Sequence, residues 1–216
     1  MAKQKIYAVR VGRTPGVYFD WDDCEQQVKG FPNAEYKKVK NITEAKAYIE
    51  APEVVIPDGP YAFVDGSFNK KNETYGYGGF LDVKGQRYLL MGSGNDPELA
   101  TMRNVIGEID GSMAAVRKAE ELGLTELTMF YDYRGIKEWA TGGWKANKQA
   151  TKEYRDFMNS SQRKVHVVFE KVDAHRGIEG NEMADVMAKK SVGKSLTKAQ
   201  QKLFEKAIEM CSARNP

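Results

Sequence analysis

The amino-acid sequence predicts an α/β protein: a five-stranded mixed sheet flanked by helices, preceded by a small ββαβα domain. Three observations carry this expectation. Strand-forming runs at 61–65, 77–83 and 86–91 follow one another through short turns, as antiparallel hairpins do. Two later runs, 127–131 and 165–172, are separated by helical patterns, as parallel strands require. The charge also steps along the chain: +3 over residues 1–49, −3 over 50–60 (EAPEVVIPDGP), zero over 61–193 and +3 over 194–216. A basic head, a short acidic stretch with prolines and a balanced body divide the chain into a domain at 1–49, a linker at 50–60, a main domain at 61–193 and a C-terminal amphipathic helix at 194–216.

Each element has a local reason. Lys5–Val11 alternates and is rich in strand formers, 12–16 (GRTPG) is a turn, and Val17–Phe19 resumes a strand. Asp20 caps a helix that Gly30 ends. Ala34–Lys40 is a short strand, and Thr43 is the expected cap of a helix to Ile49. In the body, Tyr61–Asp65 is an apolar strand expected to stop at its carboxylate and Gly66. Lys84 and Gly85 form a hairpin turn. Ile106, Ile109, Met113, Val116 and Ala119 recur at spacings of three and four, which makes 104–122 a helix with one core face. Further helices are expected near 135–140, 152–160 and 179–191, with strands at 127–131 and 165–172. In the tail, Leu203, Phe204, Ala207, Ile208 and Cys211 line one side of a helix over 197–213.

Composition removes several classes of function. With 216 residues, 41% of them apolar, the chain can bury a core. No apolar run approaches the roughly 20 residues of a membrane span. The opening MAKQKIYAVRVG lacks the apolar centre of a secretory signal, so a cytoplasmic protein is expected. Two distant cysteines, Cys24 and Cys211, exclude a disulfide scaffold and a cysteine-built zinc site. Nothing in the pattern demands a partner subunit, and a monomer is expected. A pI near 8.6 permits a polyanionic partner without requiring one.

Ligands of an open sheet gather at the carboxyl ends of its parallel strands. Asp65 ends the first body strand and Asp132 the fourth, so both reach that rim if the two strands are parallel neighbours. Glu108 lies in the first turns of the helix between them, and Asp185 lies on the last helix of the body. Carboxylates brought within ~4 Å repel by roughly 4 kcal/mol per pair at an effective dielectric of 20, unless a cation or a proton intervenes. Hard divalent cations such as Mg2+ take such oxygens. Two of them roughly 4 Å apart can activate a water and steady the leaving oxygen of a phosphodiester. Any single acid among the 30 is by default an ordinary surface group, and Asp82 and Glu120 are read that way.

Four blocks in order resemble a type-1 ribonuclease H: 61–67 (YAFVDGS), 103–114 (RNVIGEIDGSMA), 130–135 (FYDYRG) and 171–185 (KVDAHRGIEGNEMAD). The resemblance spans about residues 61–193 and implies a ribonuclease H-like fold. It implies endonucleolytic hydrolysis of the RNA strand of RNA/DNA hybrids with two Mg2+ ions, Mn2+ also serving, to give 5′-phosphate and 3′-hydroxyl ends. Asp65, Glu108, Asp132 and Asp185 would be the metal ligands, with Asp65 bridging both ions. Glu182 would tune the second metal, unless it is a helix-surface acid. His175 would be the mobile-loop histidine that aids proton transfer or product release; His166, inside a strand, reads as structural. Near the acids, Gly66, Ser67 and Asn104 are candidate contacts to 2′-hydroxyl or phosphate.

The head is similar to the hybrid-binding domain that precedes some enzymes of this family and occurs in viroplasmin proteins. The carrying residues are 7–12 (YAVRVG), 16–18 (GVY), 21–24 (WDDC), 27–31 (QVKGF) and 34–38 (AEYKK). The likeness implies that Trp21 and Tyr36 lie against deoxyribose, that Lys37 and Lys38 contact phosphate, and that Tyr7 joins the same surface. An aromatic beside paired lysines is a flat apolar plate with cations for a backbone. The alternative is a buried Trp21 and Tyr36 with lysines that merely solvate an edge strand. Trp144, with Lys145 and Lys148 around it, is either a further grip or a core plug. Two other functions stay open at this point: a non-catalytic hybrid-binding protein, and a nuclease of the same fold acting on DNA.

Overall fold

A computed structural model describes residues 5–32, 34–50, 54–172 and 178–212. It resolves two compact units, one up to Val54 and one beginning at Val55. No helix among the described residues is long and apolar enough to cross a membrane.

The first unit contains β1 (Ile6–Val11), β2 (Gly16–Tyr18), α1 (Trp21–Val28), β3 (Glu35–Val39) and α2 (Ile42–Ile49). Its antiparallel sheet has the order β2-β1-β3. The period of two along β1 sends Tyr7 and Val9 to one face, where they pack with Cys24 and Val28 of α1. Ala8 points to the other face and packs with Val39, Ala45 and Tyr48. Asp20 caps α1, as expected, through its bond from the Asp22 amide. The cap of α2 is Asn41 rather than Thr43: its Oδ1 accepts from the Glu44 amide at 2.8 Å, while Glu44 Oε2 accepts from the Lys40 amide at 2.9 Å. Asparagine two residues earlier reaches the first free amides and starts the helix sooner.

The second unit contains β4 (Tyr61–Asn69), β5 (Thr74–Val83), β6 (Gln86–Gly94), α3 (Pro97–Ala100), α4 (Asn104–Glu121), β7 (Glu126–Tyr131), α5 (Gly135–Thr141), α6 (Gln149–Ser161), β8 (His166–Lys171), α7 (Glu179–Ser191) and α8 (Lys198–Ser212). The five-stranded mixed sheet runs β6-β5-β4-β7-β8. Lys84 and Gly85 both take positive φ, 53° and 84°, in the two-residue turn between β5 and β6. Strands β4 and β7 are parallel and adjacent, in the register Phe63 to Phe130.

One expectation changes: β4 does not stop at Asp65. It pairs with β5 as far as Asn69 opposite Thr74, while its pairing with β7 ends at Phe63. The rim therefore forms on the β7 side only, and Asp65 and Asp132 each sit two residues beyond the last parallel pair. The helix patterns hold with small shifts. On α4, Ile106, Ile109, Val116 and Ala119 are buried and Met113 is partly so. On α7, Met183, Ala184, Met187 and Ala188 are buried. In α8 only Ala207 is fully buried; the helix packs against α7 and β6. Asp82 is not a surface acid: it is buried beside Arg87 at 3.1 Å.

Candidate active site

Strand β4 delivers Asp65, and the glycine after it decides what stands beside it. A Cβ on Gly66 would lie 2.2 Å from the Asn104 carbonyl oxygen and 2.5 Å from the Glu108 nitrogen. A Cβ on Gly107 would lie 2.1 Å from the Gly76 carbonyl oxygen and 3.0 Å from Gly66 Cα. The first turns of α4 thus rest directly on the backbone of β4 and β5. That approach carries Glu108 over the sheet to Asp65. Gly107 and Gly76 were missed in reading the sequence; a glycine in the interior of an otherwise regular helix or strand was the available signal. The entry to α4 is strained, because Arg103 has φ 55° without being glycine.

Asp65, Glu108 and Asp132 each offer an oxygen within 4.8 Å of the others. Asp65 and Glu108 are 9% and 2% exposed. Burial is the main cause of an Asp65 carboxyl pushed up to about 7; its hydrogen bond with Glu108 opposes the rise, and the charges of Asp132 and Asp185 reinforce it. Glu108 is held well above the ordinary carboxyl range, first by burial and then by the charges of Asp65 and Asp132. The Gly66 amide donates to Asp65 Oδ1 at 2.7 Å. Glu108 Oε2 is buried with no hydrogen-bond partner among the described residues. Clustered hard oxygens, one of them unpartnered in the interior, fit a divalent cation, which would repair both the repulsion and the orphaned oxygen.

Asp185 stands outside this triad although its charge reaches Asp65. Lys189, one turn further along α7, holds Asp185 Oδ2 at 2.6 Å. Glu182 is half-buried on the same helix and also outside the triad. His175 lies outside the described residues. Ser67 is 5% exposed, and its Oγ accepts from Lys194 Nζ at 3.0 Å. Asn104 is exposed at the start of α4. His166 is exposed on β8. Glu120 accepts from Lys164 at 3.1 Å, an ordinary surface pair.

In the first unit, Trp21 and Tyr36 are exposed by 37% and 45%, with ring centroids 5.7 Å apart. They are therefore not core residues. Tyr7 differs from the expectation of an exposed contact: it is 8% exposed, packed into the core, with its ring 5.3 Å from Trp21. It supports the aromatic face from behind. Tyr36 and Lys38 alternate with Lys37 along β3, so Lys38 shares the face of Tyr36 while Lys37, paired with Ala8, belongs to the opposite face. In the second unit Trp144 is half-exposed and edge-on to Trp139 at 5.8 Å. A groove of about 450 Å³ beside Trp139 is lined by Thr101, Tyr133, Lys145, Asn147 and Lys148.

Comparison with known proteins agrees with this architecture. The family described as RNase H matches residues 59–193, and the family described as Ribonuclease H1 N-terminal domain matches residues 5–49. A Ribonuclease H of Crithidia fasciculata is 49% identical over 49 residues, 23% of this chain and 10% of that protein. A Ribonuclease H of Saccharomyces cerevisiae is 36% identical over 75 residues, 34% of this chain and 22% of that protein. The chain thus aligns with about a tenth and about a fifth of these two relatives. Ribonuclease H1 of Homo sapiens is 26% identical over 258 residues, covering 88% of this chain and 90% of that one. The solved N-terminal RNase H domain of a Mycobacterium tuberculosis protein shares the fold at 18% identity, with a TM-score of 0.51 over 69% of this chain and 98% of that one.

Proposed function

We propose that this chain, which belongs to the RNase H family, cuts the RNA strand of RNA/DNA hybrids endonucleolytically and leaves 5′-phosphate and 3′-hydroxyl ends. The observation that carries the reading is the buried triad of Asp65, Glu108 and Asp132 with its unpartnered Glu108 oxygen. Two Mg2+ ions held by these acids, or Mn2+ in their place, would supply charge to acidify an attacking water and to steady the leaving 3′ oxygen.

The chain's own residues do the rest. Asp65 faces both Glu108 and Asp132 and would hold the ions together with them. Asp185 completes the set by releasing Lys189. Glu182 tunes the same end of the site, and His175 serves proton transfer or product release. Glycines 66 and 107 fix the approach of α4 to the sheet, so Glu108 is already placed against Asp65 when charge develops. Asn104, exposed at the rim, meets the 2′-hydroxyl or phosphate, and the bare backbone at Gly66 admits the ribose closely.

Residues 1–49 act as the hybrid-binding domain, 50–60 as the linker, 61–193 as the catalytic domain and 194–216 as its closing helix. Trp21 and Tyr36 stack on sugar while Lys38, and Lys37 from the far side of β3, neutralise phosphate. Tyr7 backs Trp21. Hybrid is told from other duplexes by shape and by the 2′-hydroxyl, so little base preference is expected. Labelled hybrid, DNA duplex and RNA duplex, each with Mg2+ and with EDTA, test the reading. RNA-strand cuts in the hybrid alone, abolished by EDTA, support it. Binding without cuts selects a passive hybrid-binding protein, and cuts in DNA duplex select a DNA nuclease.

A further inference from the structure

We propose that Lys194, supplied by the segment after α7, is a phosphate contact of this active site, and that Ser67 is the seat that positions it. The inference rests on the reading of the acidic pocket as a hydrolytic centre. It gives a role to a stretch in which the sequence offered only packing.

The direction of Lys194 is set by the way α7 ends. Gly193 takes φ 71°, the left-handed conformation that closes a helix. The Lys194 amide then donates to the Lys189 carbonyl and the Gly193 amide to the Lys190 carbonyl, both at 3.0 Å. This pair of bonds turns the chain sharply back on the helix. Val192, 1% exposed, plugs the turn, and its carbonyl accepts from Asn69 Nδ2 at 2.9 Å. Asp65, Ser67 and Asn69 alternate onto one face of β4, the face that α7 covers. The loop is therefore bolted to the strand that carries the first metal ligand, at Asn69 and again at Ser67.

An ammonium carries three donors and no acceptor. Lys194 spends one on Ser67 Oγ at 3.0 Å. No described residue takes the other two. Ser67 is buried and Lys194 only partly so, which makes Lys194 the more accessible group of the pair. Partial burial and the nearby Lys189 lower its pKa, while Asp185 and Asp65 raise it, so the ammonium sits within the field of two of the acids without an ion pair to either among the described residues. A cation half-stripped of water, with spare donors, at the edge of a pocket for a phosphodiester, is matched by an anionic phosphate oxygen. Ser67 lies two residues along β4 from Asp65, about 7 Å. The phosphate it selects is one on the RNA strand close to the linkage being cut.

The test uses the full chain with Lys194→Met, Lys194→Arg, Ser67→Ala and the double variant Lys194→Met/Ser67→Ala, on labelled hybrid with Mg2+. A ground-state phosphate contact predicts a KM raised roughly tenfold with kcat nearly unchanged. The slope of log kcat/KM against log salt should fall by about 0.9, the signature of one lost phosphate contact. Lys194→Arg should restore most of both. Ser67→Ala should reproduce part of the KM effect and add nothing to Lys194→Met. An unchanged KM and salt slope in Lys194→Met overturns the proposal, as does a loss confined to kcat or one that follows a lowered melting temperature and is not rescued by arginine. Asp132→Asn is run alongside: turnover retained there sinks the reading of the site itself, whereas an inactive Asp132→Asn together with an unchanged KM and salt slope in Lys194→Met sinks only the role of Lys194.

Discussion

Gly66 and Glu108 touch backbone to backbone, so closely that a Cβ on Gly66 would stand 2.5 Å from the Glu108 nitrogen. The acid that completes the pocket is placed by the absence of a side chain on the residue after Asp65. Gly66→Ala must push α4 off the sheet. Overpacking of this kind costs about 1–3 kcal/mol, and a shift of about 1 Å in Glu108 costs about 100-fold in rate. Melting curves and single-turnover cleavage check both. Wild-type cleavage in Gly66→Ala contradicts the placement.

Asp132→Asn keeps the shape of its side chain and removes its charge. The variant is expected to bind hybrid as the wild type does and to cut it at least about 100-fold more slowly, since the loss is felt in the charge-developing step. Gel shifts in EDTA and cleavage in Mg2+ separate the two quantities. Near-normal turnover removes Asp132 from the site.

Stability of the metal-free protein should fall as pH rises. An unfolded aspartate titrates near 3.8, whereas Asp65 in the folded chain titrates at about 7, and Glu108 is displaced in the same direction. Below pH 4 both states are protonated and the burial costs nothing extra. As pH climbs from about 4 to about 7 the unfolded chain loses its proton before the folded one does, and roughly 4 kcal/mol of stability is lost through Asp65 alone. Mg2+ should restore it at pH 8 and do little at pH 5, because protons and cations compete for the same oxygens. Thermal melts in EDTA and in Mg2+ at several pH values read this directly. Stability that increases with pH in EDTA contradicts it.

Removing residues 1–50 should leave the cutting chemistry in place, since the second unit has its own core and its own acids. Hybrid binding should weaken, most at higher salt, because the basic head and its exposed Trp21 and Tyr36 are gone. Trp21→Ala in the full chain should reproduce part of the loss. Equal affinities with and without the head refute its role.

Most of the strands and the long helix α4 were legible because each rests on a periodicity or a turn signal confined to a few residues; the parallel pairing of β4 with β7 entered only as a condition for bringing Asp65 and Asp132 together. What was not legible depends on contacts between distant segments. The extension of β4 past Asp65 follows from its pairing with β5 up to Asn69 and Thr74, which no local pattern specifies. The burial of Asp82 follows from Arg87 across the hairpin. That Tyr7 lies behind Trp21, and that Lys37 and Lys38 face opposite ways, becomes visible only once the register of β1 and β3 is known. Lys194 reaches Ser67 through a loop closure 127 residues away in sequence.

On the proposed reading the acids of this pocket hold divalent cations. Anomalous diffraction from crystals of the full chain soaked in Mn2+ tests it most directly. The expected result is density bonded to carboxylate oxygens of Asp65, Glu108 and Asp132, with Asp185 turned from Lys189 toward it. Density elsewhere, or none at a concentration that supports cleavage, contradicts it.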